Sequence, residues 1–80
     1  MSYDARMESI PETMAVSEAR ANLTEVVNAV RLQDRSVRLT RRGAPQAAVV
    51  PIDVLDLIEQ LGGLGSARAA MREMLERVGS

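Results

Sequence analysis

The stretch LTRRGAPQAAVV, Leu39 to Val50, sets two adjacent arginines and a glycine between two apolar runs. Val37, Leu39 and Arg41 alternate with Arg38, Thr40 and Arg42, the period-two pattern of a strand with two unlike faces. Gly43 supplies the positive φ that a tight turn demands. Pro45 has no N–H and keeps the loop from continuing the ladder, so Gln46 to Val50 reads as the returning strand and Pro51 ends it. A β-hairpin with cations at its tip is the centre of the fold.

Upstream, Glu12 to Val16 is a short extended stretch, after which Ser17 is expected to cap a helix with Glu18 in its first turn. Leu23, Val26, Val27 and Val30 fall at i, i+3, i+4 and i+7 and predict one amphipathic helix reaching about Leu32. Gln33 to Ser36 is a polar break before the hairpin. Downstream, Asp53 opens a second helix, where Val54, Leu57, Ile58 and Leu61 form a stripe that Leu55 widens, as contact with a second surface requires. Gly62, Gly63 and Gly65 form a joint, and Ser66 offers an N-cap to a last helix over Ala67 to Val78. Met71, Met74, Leu75 and Val78 share one side of that helix, and Glu73 pairs with Arg77 at i, i+4.

The predicted fold class is α+β: a small antiparallel three-stranded sheet with helices packed on it, an N-terminal dimerisation domain and a C-terminal helical segment. The expected divisions are a flexible N-terminal extension (1–11), a main domain (12–61), a glycine hinge (62–65) and a C-terminal helix (66–80).

Eighty residues make one small domain whose own core is marginal. With no Cys and no His, the usual staples of a small fold, disulfides and zinc, are missing, and oligomerisation is the remaining route. The same absence removes ordinary nucleophile–base pairs, and without lysine neither a Schiff base nor a usual P-loop can be built. No enzyme, metal or cofactor is expected. Asp53, Asp56 and Glu59 have the spacing of a solvated helix face, and LGGLGS lies between helices, outside the strand-to-helix context of a dinucleotide fingerprint. Tyr3 is the one aromatic residue, which leaves no stacking platform for single-stranded RNA. MSYDARMESIPE has no apolar core of a secretory signal and no run is long enough for a membrane span, so the expected location is the cytoplasm.

The formal charge is −1, and every cation is an arginine. Charge is uneven along the chain. Arg20, Arg31, Arg35, Arg38, Arg41 and Arg42 outnumber Glu18, Glu25 and Asp34 between Ser17 and Arg42, while acids dominate from Gly43 onward. The basic half is the candidate anion-facing region, with Arg20, Arg41, Arg42, Arg31 and Arg38 as candidate contacts. Arg20 in the first turn of its helix opposes the dipole, which points to a compensating anion. Arg41 also suits snorkelling over the core edge, Arg42 plain solubility, and Arg38 a solvated strand face.

Taken in order, the extended stretch, SEARANL, LTRRGAPQAAVV and VPIDVLDLIEQL form a constellation. From Met14 to Leu61 the chain resembles the Phd/YefM family of type II antitoxins, in which S-E-A-R-x-x-L opens the first helix, a T-R-R/x-G turn follows, and a V-x-x-x-x-x-x-L helix comes after an alanine- and valine-rich strand. Each motif alone is common; four in the right order are much more specific. The resemblance implies a homodimer formed by the N-terminal halves, binding to double-stranded operator DNA, and a C-terminal segment that neutralises a cognate toxin. Carried onto this chain, the DNA-contacting groups are Arg20, Arg41 and Arg42, and Arg31 and Arg38 complete the DNA-binding candidates.

The toxin-binding anchors expected on the last helix are Leu64, Met71, Met74, Leu75 and Val78, an adaptable methionine-bearing stripe of the kind that lies in a hydrophobic groove. The second reading is a stand-alone dimeric transcriptional regulator in which that helix only completes the fold.

Overall fold

The computed structural model describes residues 10–79. Its elements are β1 (Thr13–Ala15), α1 (Val16–Ala21), α2 (Leu23–Gln33), β2 (Val37–Arg41), β3 (Ala44–Val49), α3 (Ile52–Gln60) and α4 (Leu64–Gly79). Of the expected extension over 1–11, all but Ile10 and Pro11 lies outside the described residues, as does Ser80 at the end of the expected last segment.

Three strands form the sheet in the order β1-β2-β3, but it is mixed and not antiparallel throughout. β1 runs parallel to β2, with Thr13 opposite Arg38, Met14 opposite Leu39 and Ala15 opposite Thr40. The cause is the connection. Helices α1 and α2 lie between these strands and carry the chain back to its starting end, the crossover that parallel pairing needs. The β2–β3 hairpin is antiparallel as expected.

The hairpin turn is Arg42-Gly43, with φ +53° and +81° respectively. Two successive positive φ values are the mark of the two-residue type I′ turn, whose twist matches the flanking strands. β3 begins at Ala44, ahead of the expected Gln46, and Pro45 lies within it. Leu39 faces Ala47 but Thr40 faces Pro45, so Gln46 is an extra residue, a bulge. A bulged edge strand tolerates a proline because no ladder donor is lost there.

The single long helix expected from Ser17 is two helices. Val16 is already helical, Ala15 is the N-cap and makes no side-chain cap bond, so Ser17 does not cap. Asn22, at φ −125° and ψ 35°, breaks the helix. Its backbone N–H reaches the carbonyls of Glu18 and Ala19 at 3.1 and 3.2 Å, and its Nδ2 donates to Glu18 O at 3.0 Å. Asn suits such a position because its short amide side chain can bond nearby backbone. α2 then starts afresh, and its stripe delivers Val26, Ala29 and Val30 to the interior.

The core is small: Ile10, Met14, Ala19, Val26, Ala29, Val30 and Val37, with Leu39 and Val49 packed against it. Val26 and Val37 are fully buried. Arg35 closes one side of this core, donating from Nη2 to Ile10 O at 2.6 Å. By contrast α3 has no buried residue and α4 has only Ala67.

The glycine joint is a shaped corner. Gly62 N–H bonds Glu59 O and Gly63 N–H bonds Ile58 O, both at 3.0 Å, the paired bonds of a Schellman motif with Leu61 as C-cap. Gly62 at φ +98° takes the position that favours glycine. Gly63 O then accepts from Ala67 N–H at 2.8 Å, so α4 starts at Leu64 and already includes Gly65 and Ser66.

Candidate nucleic-acid interface

Parallel pairing decides where the cations meet. Because Ala15 lies beside Thr40, the chain leaves β1 for α1 and leaves β2 for the hairpin turn at the same end of the sheet. Between these exits lies an open cleft of about 210 Å³ lined by Ala15, Val16, Ser17, Arg20, Thr40, Arg41 and Arg42. Three guanidinium groups and two hydroxyls therefore surround one depression, with no acid in its lining. Arg20, Arg41 and Arg42 are all exposed. A guanidinium offers a rigid fork of donors matched to phosphate or to the O6/N7 edge of guanine.

α1 holds Arg20 at this cleft from its last turn, not its first, because the helix ends at Ala21. The expected conflict with the dipole is thus absent: a cation at the C-terminal end is favourable. Arg41 ends β2 on the core side of the strand, two residues beyond half-buried Leu39. Arg42 holds a left-handed backbone that a long L-side chain adopts at a cost.

The other two DNA-binding candidates lie elsewhere. Arg38 lines a cleft of about 510 Å³ at the opposite end of the strands with Glu12, Thr13, Asp34, Arg35, Ser36 and Ala48, where charges of both signs mix. Arg31 flanks an apolar cleft of about 190 Å³ with Val27, Val30, Val49, Val50, Pro51 and Ile52. Neither shares the depression of Arg20, Arg41 and Arg42 within one protomer. Arg35 has a structural duty, bonding Ile10 O and, at 3.3 Å, Gln33 Oε1.

The proposed toxin anchors are open to solvent: Leu64, Met71, Met74, Leu75 and Val78 are 61, 44, 58, 69 and 78% exposed. Met71 shares a cleft of about 340 Å³ with Val54, Leu57, Ile58, Gln60 and Leu61, so the apolar surface continues from α4 onto α3. Sequence periodicity put Leu55 in the widened α3 stripe but not the joining of that stripe to Met71. Among the described residues no group of acids or other ligands could hold a metal ion, and no helix is long and apolar enough to cross a membrane.

A protein-family model described as "Antitoxin Phd_YefM, type II toxin-antitoxin system" matches residues 11–79. No curated protein and no solved structure matches the chain.

Proposed function

The chain belongs to the Phd/YefM family of type II antitoxins, and from that premise we propose that it neutralises a cognate toxin through α4 and represses its own operon by binding operator DNA as a homodimer. The observation that carries the DNA half of this reading is the convergence of Arg20, Arg41 and Arg42 on one acid-free cleft. One protomer offers few cations, and two-fold pairing doubles them and presents two copies to a palindromic site. Phosphate contacts set register, and a guanidinium fork reaching into the major groove reads guanine.

Pairing of the N-terminal halves is supported by apolar side chains that a lone protomer leaves bare. Leu23, Val27, Val50 and Ile52 are 56, 44, 39 and 69% exposed and lie on or beside the apolar cleft between α2 and the β3–α3 junction. Toxin capture is supported by the exposed stripe of α4, which is more than completion of the fold requires. The protein acts in the cytoplasm, where both partners are.

The test is a gel shift on the palindrome upstream of the gene, with wild type, Arg20→Ala and Arg41→Ala, together with co-purification of the neighbouring gene product. Preference for that palindrome over random duplex, weakened by either substitution, supports repression; equal binding to both duplexes removes it. Operator binding without any co-purifying neighbour favours the stand-alone regulator.

A further inference from the structure

The α3–α4 hairpin carries a second self-complementary surface. On its apolar side Leu57 and Leu61 share one cleft with Met71 of α4, and Leu64, Met74 and Leu75 of that helix are 61, 58 and 69% exposed; few monomeric proteins leave so much apolar surface in water. Its charges are sorted by helix. α3 carries Asp53, Asp56 and Glu59 and no cation, whereas the first turns of α4 carry Arg68 and Arg72 and no acid before Glu73. Within the chain these opposite charges do not meet: among the described residues no ion pair joins α3 to α4, and Arg77 pairs with Glu73 within α4 at 3.8 Å.

We infer that two copies of this chain pack hairpin on hairpin, apolar side inward, with α3 of each copy lying across α4 of the other. A two-fold axis parallel to the helices produces that arrangement. It keeps each residue at its own height above the Gly62–Gly63 corner, so Glu59 and Asp56 of one copy stand level with Arg68 of the other, and Asp53 with Arg72. The alternative two-fold, at right angles to the helices, stacks α3 on α3 and sets three acids against three, which like-charge repulsion disfavours. Sorting of charge thus selects the partner helix.

This interface is separate from the Leu23–Val27–Ile52 side and goes beyond the antitoxin reading, since it needs neither toxin nor DNA. Two isologous interfaces on one chain close into a four-chain assembly when their two-folds cross at right angles. Such an assembly covers the α4 stripe until another protein displaces it.

Sedimentation velocity of the full chain, alone and at increasing concentration, tests it. Wild type is expected to pass from two chains to four, more readily at low salt. Glu59→Arg alone and Arg68→Glu alone each occur twice per interface and are expected to weaken the four-chain step about tenfold. The two combined restore it. Both positions are exposed, so the helices persist, which far-UV circular dichroism checks. The passage from two chains to four rests on the N-terminal pairing proposed above, so a wild type that never exceeds two chains overturns the inference when Glu59→Arg leaves that pair intact. Single reversals without effect, or a double reversal that fails to restore assembly, overturn it in any case. Loss of operator binding or toxin capture leaves these readouts untouched and speaks only to the function proposed above.

Discussion

Arg35 Nη2 donates to the backbone carbonyl of Ile10 at 2.6 Å, joining the loop after α2 to the residue that leads into β1. The bond holds the start of β1 against the sheet, helped by Arg38 N–H donating to Glu12 O at 2.7 Å. A charge-assisted bond of this kind contributes about 1.5–3 kcal/mol. Arg35→Ala is therefore expected to destabilise the fold by roughly that amount, with Arg35→Lys recovering part of it; urea melts at fixed protein concentration measure both. A melt unchanged by Arg35→Ala would mean that the carbonyl is equally well satisfied by water.

Arg42 has a conformational cost that the proposed DNA contact would offset. Its left-handed backbone costs a long side chain on the order of 1 kcal/mol that asparagine largely avoids in a type I′ turn. Arg42→Asn is expected to raise the melting temperature while lowering operator affinity. If affinity stays at the wild-type value, Arg42 lies outside the DNA footprint.

Salt dependence separates the clustered arginines from the outlying ones. In a dimer each substitution removes two guanidinium groups, so loss of a phosphate contact flattens the slope of log K against log salt by about 1.8. Arg20→Ala and Arg41→Ala are expected to show this change. Arg38→Ala, at the far end of the strands among Glu12 and Asp34, is expected to leave the slope nearly as it was.

Val26 and Val27 are neighbours with different duties. Val26 is fully buried and Val27 is 44% exposed. Val26→Ala removes packing at every protein concentration and is expected to cost about 1.5–3 kcal/mol. Val27→Glu is expected to leave the protomer core intact and, if the N-terminal halves pair as proposed, to make the dimer dissociate at higher concentration than wild type.

At the corner between α3 and α4, a Cβ on Gly62 would come 3.1 Å from Ser66 Oγ on a backbone at φ +98°. Gly63, at φ +103°, has open space around it. Gly63→Ala thus measures backbone strain alone, about 1 kcal/mol or more, and Gly62→Ala is expected to cost more. As read by the helical signal on heating, adding Ser66→Ala to Gly62→Ala should return only part of the excess, because the Cβ of residue 66, 3.2 Å away, stays.

Much of this was legible in the residues. Gly43 between alternating runs fixed the hairpin, and the stripe from Leu23 to Val30 located the helix that builds the core. The direction of β1 was not legible, because Thr13–Ala15 is too short for any period and its partner is chosen by the crossover that follows it. The break at Asn22 was hidden for another reason: Ser17 and Leu23 belong to one familiar motif, and the cap at Asn22 is made mainly by backbone groups. Reading one helix where there are two put Arg20 at the wrong end of a dipole. Arg20, Arg41 and Arg42 line one cleft, and what assembles them is the parallel register, which the residues do not announce.

Ala15 ends a three-residue strand, Val16 opens α1, and both line the arginine cleft. Unzipping so short a strand is a small step, yet it would withdraw Met14 from the interior and scatter the three guanidinium groups together. Interior order and grip on an anion are therefore linked quantities, and whatever occupies the cleft clamps the N-terminal strand shut. Occupancy should slow amide exchange at Met14, which does not itself line the cleft.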